Sequence, residues 1–348
     1  MASMKALAFE RHGTLDDVQL LAVSRPVPGP EEVLLEIHAA ALNGLDLWVL
    51  EGWPGLKLKM PHIMGSDGAG VVGEVGSGAT RFHPGDRVAV NPTICNDPKD
   101  RFARLGFDNM CDDFAIFGEH IDGFFTEFAV VPERNLLPLP DHISFDTAAA
   151  ASLVFVTAWH SLVTRGKLQA GETVLVVGAG GGVNTASIQI ARLAGAGTIF
   201  VVGSSDEKLL LARELGADIV LNRHEVDWSR EVYRLTGKRG VDVVVNNVGA
   251  ATYRSSLRSL RRGGRLLTVG NSSGPRFEFD NRLIFGKHLT IIGSTMGTSS
   301  DFQTVMGLIF QERLRAIIDT IYPLEQALAA LHRLQNGDFM GKLVLQIR

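Results

Sequence analysis

Hydrophobic positions along the chain change rhythm in a way that separates its parts. From Thr173 to Val177 the run T-V-L-V-V is apolar after its first residue, the pattern of a strand buried on both faces. From Val183 the apolar residues fall at Val183, Ala186, Ile190, Ala191 and Ala194, which is helical spacing. Between the two lie Gly178 to Gly182, with only Ala179 interrupting, a turn that side chains would obstruct. Further short apolar runs predict buried strands at Thr198–Val202, Ile219–Leu221, Val241–Val245, Leu266–Val269 and Leu289–Ile292. Ser204-x-x-Glu207 reads as a capping box opening a helix to about Leu215. Strands alternating with helices predict a parallel sheet with right-handed crossovers.

Before residue 146 the rhythm is different. Val33, Leu35, Ile37 and Ala39 alternate with Glu32, Glu36 and His38, predicting a strand with one buried face. Gly68–Gly76 reads as a strand with close backbone approach, and Pro84–Val90 as a turn feeding another strand. Proline breaks between Leu136 and Asp146 mark a crossing into the next part, where Ser144–Thr147 opens an Ala-rich helix through Ala151. At the far end, helices are predicted from about Asp301 and from Leu324 to Gln335, then a closing strand over Gly341–Ile347. The expected division is 1–145, β-rich; 146–292, alternating; and 293–348, returning to the first part.

Strand, glycine turn and helix together form the opening of a dinucleotide-binding unit. Backbone N–H groups of Gly180, Gly181, Gly182 and Val183, with the positive end of the helix, would face a pyrophosphate. The last glycine slot holds Asn184, small enough that a slightly shifted helix is expected rather than a lost site. The tip of the next strand selects the coenzyme. It reads Gly203-Ser204-Ser205, without the acid that binds the ribose hydroxyls of NAD. Ser204, Ser205 and Lys208 could hold a 2′-phosphate, so NADP(H) is the expected cofactor. The competing reading makes Asp206 the ribose acid.

Composition adds limits. At 348 residues two domains are expected, and 45% apolar with 21% charged residues is ordinary for a globular protein. A net charge of −4 argues against a dedicated nucleic-acid binder. Two cysteines suggest no disulfide framework and fit a reducing cytosol. The first residues lack a signal-peptide pattern, and no run was expected to approach the length of a membrane span. A cytoplasmic protein with neither membrane nor nucleic-acid partner is the expectation.

Three motifs of the first part carry a resemblance: A-L-N-G-L-D at 41–46, G-S-D-G-A-G-V-V-G-E-V-G at 65–76 and P-G-D-R-V at 84–88. With the glycine turn, in this order, the chain resembles the medium-chain dehydrogenase/reductase superfamily. That resemblance implies an α/β chain: a GroES-like β-rich catalytic domain plus a doubly wound parallel-sheet (Rossmann) nucleotide-binding domain. Zinc-dependent members carry Cys where Asn43 stands, Gly-His-Glu at Gly65-Ser66-Asp67, and a third ligand near Leu153. Asn, Ser and an aliphatic residue do not suit zinc, so no catalytic metal is expected. Asn43 with Asp46 resembles the N-x-x-D of the metal-free quinone oxidoreductase branch. The four-cysteine structural lobe of zinc relatives corresponds to 91–111, where only Cys95 and Cys111 remain. Asp97 and Asp100 stand near former ligand positions, and Phe102, Phe107, Phe114 and Phe117 are expected to form the lobe's core.

The resemblance also assigns roles. Arg223 lies where quinone reductases contact the 2′-phosphate. Val248, Gly270 and Asn271 fall in turns that line the nicotinamide ribose, Thr157 near the carboxamide, and Phe339, Gly341 and Lys342 in a stretch touching cofactor. The strand near 289–292 pairs across a two-fold axis in relatives, so a homodimer or homotetramer is expected. Asn43 is the candidate donor to the acceptor oxygen. Simpler alternatives are a cap or turn for Asn43 and a helix-entry acid for Asp46. His62 and His160 read as core or surface residues. Trp53, before Pro54, replaces the Tyr of enoyl-thioester reductases and cannot donate a proton as a phenol does; it is a wall for a flat acceptor or merely core. The expected reaction is hydride transfer from NADPH to a small-molecule electron acceptor, a quinone or conjugated enone. The alternatives are an alcohol dehydrogenase-type enzyme with a rebuilt zinc site and a non-catalytic NADPH-binding protein.

Overall fold

The computed structural model describes every residue except Met1 and Pro98. The chain divides into two compact units, Met1–Leu153 with Thr298–Arg348, and Val154–Gly297. In chain order the elements that shape the sites are β1 (Glu32–Ala41), α1 (Gly44–Glu51), β2 (Asp67–Val75), β3 (Thr173–Val177), α2 (Gly182–Leu193), β4 (Thr198–Gly203), α3 (Asp206–Glu214), β5 (Ile219–Asn222), β6 (Val241–Asn246), α4 (Ala250–Ser259), β7 (Leu260–Thr268), β8 (Thr290–Gly293) and β9 (Lys342–Gln346).

In the first unit β1 is central. It pairs antiparallel with β2, with Phe128–Pro132 and with β9. The alternation in its sequence predicts one buried face, yet Leu34 and Ala40 are as buried as Val33, Leu35 and Ile37. A strand with neighbours on both edges and packing on both faces loses the amphipathic contrast. Register brings Ala41 of β1 opposite Asp67 of β2, and Val344 of β9 opposite the same Ala41. Residues from three distant stretches thereby meet at one end of the sheet. Gly70 lies so close to β1 that a Cβ would come within 2.0 Å of the Glu36 carbonyl oxygen, which is the close approach its glycine-rich run implies.

The second unit is a six-stranded parallel sheet in the order β5-β4-β3-β6-β7-β8. This is the doubly wound order, with the reversal between β3 and β6. Val174, Leu175 and Val176 of β3 and Val243 to Val245 of β6 are at most 1% exposed, as continuous apolar runs require. The capping residue of α3 is Ser205, one position later than the sequence motif suggests, and its hydroxyl accepts from the Lys208 N–H.

Three expectations need correction. Cys95 and Cys111 form a disulfide; a pair 16 residues apart is brought together by the lobe, which cysteine counting could not foresee. Of the four phenylalanines expected to fill that lobe, Phe117 is buried while Phe107 is 36% exposed. The helix Phe145–Trp159 continues through a π-helical turn to Arg165, so one apolar helix has the length of a membrane span. Seventy-eight per cent of its apolar window is buried within the protein, as in a core helix.

Candidate active site

Asn43 ends the extended run of β1 and is the N-cap residue of α1. Asp46, in the first turn of α1, accepts the Asn43 backbone N–H at 2.7 Å, which is the helix-entry role its position suggested. Asp67 opens β2 and is fully buried. Lys342 opens β9 and is only 3% exposed. Together they form one closed cluster. The Lys342 ammonium donates to Asn43 Oδ1 at 2.5 Å and to Asp67 Oδ2 at 2.9 Å. Asn43 Nδ2 donates to Asp67 Oδ2 at 2.8 Å and to the Ala41 carbonyl at 3.2 Å. The Leu153 N–H donates to Asp67 Oδ1 at 2.7 Å.

These partners fix the Asn43 amide without ambiguity. An ammonium only donates and a carboxylate only accepts, so Oδ1 must face Lys342 and Nδ2 must face Asp67. Both amide hydrogens therefore have acceptors inside the protein, and Asn43 is not poised to donate to an acceptor molecule as the sequence suggested. Lys342, which the family resemblance puts in a stretch touching cofactor, closes the ion pair with Asp67. Gly341 precedes it at φ +79°, where a Cβ would lie 2.1 Å from the Ile317 carbonyl oxygen. Glycine there lets β9 enter the sheet close to Ile317. Phe339 packs against the core of this unit.

Burial leaves its mark on Asp46. Desolvation pushes its carboxyl up to about 7; the Asn43 N–H and Lys342 pull it down, and Asp67 pushes it further up. Its Oδ1 has no hydrogen-bond partner, nor has Ser66 Oγ, although Ser66 is fully buried. His62 is also buried; Nε2 lies 3.1 Å from the Gly118 carbonyl, so that nitrogen carries the proton. Trp53 is 41% exposed and is not a core residue.

A zinc ion would need deprotonated soft or charged ligands here. The Asp67 carboxylate is already engaged by an ammonium, an amide and a backbone N–H, burial disfavours the charged form of Asp46, and Asn43 and Ser66 offer only neutral oxygens. This donor set does not fit zinc. In the lobe, the disulfide leaves neither Cys95 nor Cys111 as a thiolate. The carboxylate beside that pair belongs to Asp113, whereas Asp100 caps a helix through Phe102 N and accepts from Asp112 N.

The glycine turn of the second unit is a separate site. Gly178 has φ +109°, and Gly181 caps α2 without a side-chain acceptor for its first N–H groups. A Cβ on Gly180 would meet Lys208 Cδ at 2.8 Å, so the lysine stem lies over the turn. Asn184 at the last glycine slot is buried and donates to the Val177 carbonyl at 3.0 Å. It also exchanges hydrogen bonds with Asn247, at 3.2 and 3.3 Å, clasping α2 to the end of β6. Sequence puts Asn247 in the turn after this strand but not opposite Asn184; an amide in place of glycine, needing a polar partner, was the available signal. Asn246 Oδ1 accepts the N–H groups of Val248 and Gly249, shaping the turn after β6. The Gly270 backbone lies close to Asn247, and Asn271 lies beside Gly249. Arg223 follows β5 with its N–H on the Gly203 carbonyl at 3.0 Å, which holds it at the β4 tip beside Ser204. Asp206 Oδ1 accepts from Asn222 Nδ2 at 3.2 Å. Thr157 is buried, its hydroxyl 3.9 Å from Met296 sulfur. Backbone amides, glycine space and two cations fit a dinucleotide phosphate group.

Residues 29–141 match the alcohol dehydrogenase GroES-like domain, and 182–311 match the zinc-binding dehydrogenase domain. Quinone oxidoreductase of Rattus norvegicus is 30% identical over 92% of this chain and 90% of its own.

The chain belongs to the medium-chain dehydrogenase/reductase superfamily, in its quinone oxidoreductase-like branch.

It is an oxidoreductase of that superfamily with the two-part GroES-like and Rossmann architecture. Acryloyl-coenzyme A reductase of Metallosphaera sedula is 30% identical over 98% of this chain and 99% of its own. A solved NAD-dependent alcohol dehydrogenase is 38% identical, with a TM-score of 0.95 over 99% of this chain and 100% of that one. Members of the superfamily thus differ in coenzyme and substrate while keeping one fold, and the chemistry must be argued from residues.

Proposed function

We propose that this oxidoreductase is a metal-independent, NADPH-dependent reductase acting on a quinone or conjugated enone. The observation that carries the reading is the donor set at the ligand positions of zinc-dependent members: Asn43 and Asp67 are engaged with each other and with Lys342, and Ser66 and Leu153 supply no charged or soft ligand. Without a Lewis acid, oxidation of an unactivated alcohol is the harder direction, whereas electron-poor acceptors need less assistance. A reduced nicotinamide, when bound, supplies the hydride. This chain's residues supply binding, orientation and a dry charged wall. The glycine turn and α2 would hold the pyrophosphate. Ser204, Ser205, Lys208 and Arg223 would hold the 2′-phosphate, and Val248, Gly270, Asn271 and Thr157 would border the nicotinamide end.

Purified protein assayed with NADPH and with NADH against quinones, enones, aldehydes and enoyl thioesters tests this. Turnover of NADPH with a quinone or enone, without metal, is the expected result. Zinc-dependent alcohol oxidation would defeat it, and NADPH binding without turnover would mark a non-catalytic protein. A second reading, NADH with the same chemistry, is favoured by the NAD-dependent relative of 38% identity. Thioesters belong in the screen because of the acryloyl-coenzyme A reductase relative, although Trp53 argues against them. The same reading includes a cytoplasmic protein and a homodimer joined along β8. This edge strand exposes Ile291 and carries no charged residue, an edge that water alone covers poorly.

A further inference from the structure

We propose that Asn222 is a positioning residue for coenzyme choice: its one amide holds the carboxylates of Asp206 and Glu225, and so keeps Arg223 unpaired for a 2′-phosphate. The role rests on the NADPH reading above. β5 runs parallel to β4, and register sets Asn222 opposite Gly203, the last residue of β4. The Arg223 N–H on the Gly203 carbonyl brings the arginine to the same tip. Two acids come there as well. Asp206 opens α3, and Glu225 follows Arg223 by two residues.

The hydrogen bonds divide these charges. Asn222 Nδ2 donates to Asp206 Oδ1 and to Glu225 Oε1, each at 3.2 Å. Asn222 Oδ1 accepts the His224 N–H at 3.1 Å. A carboxylate only accepts and a backbone N–H only donates, so the amide has one orientation. Both of its hydrogens and its oxygen are engaged, and a flip would lose all three bonds. Arg223 meets neither acid. Its Nε donates to His224 Nε2 at 3.4 Å, and it makes no ion pair among the described residues. An acid free to turn to this tip would accept from ribose hydroxyls and repel a 2′-phosphate. It would also compete with the phosphate for the guanidinium. With both acids tied to Asn222, the cation at the tip is left to the coenzyme. The sequence around the tip shows two acids beside one arginine, and the amide decides which of them meet.

The test is titration with NADPH and with NADH by fluorescence, together with thermal unfolding of the coenzyme-free chain. Asn222→Asp keeps an acceptor for the His224 N–H, loses both donors and leaves three carboxylates around Arg223. Its Kd for NADPH is expected to rise about tenfold, with the Kd for NADH within about twofold of wild type. The contacts are exposed, so the unfolding temperature is expected to move by less than about 4 °C. Asn222→Asp/Asp206→Asn/Glu225→Gln exchanges donor and acceptor at both contacts and restores the bonds. This triple variant is expected to bind NADPH within about twofold of wild type. Equal loss of both coenzymes in Asn222→Asp would mark a deformed turn and overturn the role of Asn222. An unchanged Kd for NADPH, or a triple variant that recovers nothing, would overturn it too. A wild-type chain that prefers NADH defeats the NADPH reading and this role together. A wild-type chain that prefers NADPH while Asn222→Asp binds it equally well defeats the role alone.

Discussion

Lys342 and Asp67 lie 275 residues apart in sequence, and their side chains meet at 2.9 Å with 4% and 0% of their surface exposed. Breaking such a pair from one side leaves an uncompensated buried charge. Lys342→Met is expected to cost about 3–5 kcal/mol of stability, and Lys5→Met, which breaks only the exposed pair with Glu325, is expected to cost far less. Urea unfolding of Lys342→Met and Lys5→Met side by side measures the contrast.

Asp46 gives stability a pH dependence of defined sign. Its folded-state carboxyl stands at about 7, above its ordinary value of 3.8. The folded chain therefore holds a proton that the unfolded chain releases, and stability falls as pH rises from about 4 to about 7. Asp46→Asn keeps an oxygen for the Asn43 N–H and removes the ionisation. The variant is expected to gain stability relative to wild type between pH 5 and pH 8, as followed by unfolding midpoints at each pH.

Gly180 is open only because it lacks a Cβ. Gly180→Val would press on Lys208 Cδ, 2.8 Å from the first added atom, and fill the turn where a pyrophosphate would sit. Since Lys208 is a flexible side chain, folding is expected to change by less than about 1 kcal/mol, within the range of surface changes. Affinity for either coenzyme is expected to fall at least about tenfold, equivalent to roughly 1.4 kcal/mol. Coenzyme titration by fluorescence reads the outcome.

Arg223 separates the two coenzymes. Under the NADPH reading, Arg223→Ala removes a cation from the 2′-phosphate and should raise the Kd for NADPH by about tenfold or more, as loss of a charge-assisted contact does. NADH affinity should be unchanged. Equal effects on both, or none, would favour the NADH reading.

The Cys95–Cys111 bridge closes a short loop, with a separation of 16 residues. Cys95→Ser/Cys111→Ser is expected to lower stability by about 2–3 kcal/mol, the loop-closure scale for that length. Thiol titration under denaturing conditions, with and without reductant, checks that the bridge forms in the purified protein.

Much of the nucleotide-binding unit was legible because its signals are local. The run Thr173–Val177, the glycine turn and the helical spacing from Val183 each depend on neighbours a few residues away, and β3 and α2 follow them closely. The cap of α3 slipped by one residue because Ser204 and Ser205 are both able caps, and backbone geometry chooses between them. Asn184 could be read as a departure from glycine, but its partner Asn247 is 63 residues away.

The cluster around Asp67 was legible only in its parts. Asn43, Asp46 and Asp67 carry their motifs on their faces, and the unsuitability of Asn43 and Ser66 for zinc follows from ligand chemistry alone. Lys342 was visible as a basic residue after a glycine. Nothing in its neighbourhood marks it as the counter-ion of Asp67. Local order, glycine turns and ligand types are properties of short stretches, so the chain's own sequence determined the Rossmann unit, the family motifs and the misfit to zinc. The partner of a buried charge is chosen by strand register. Only the sheet, by setting β9 and β2 on either side of β1, decided that an ammonium would neutralise Asp67. Desolvation then makes that pairing obligatory.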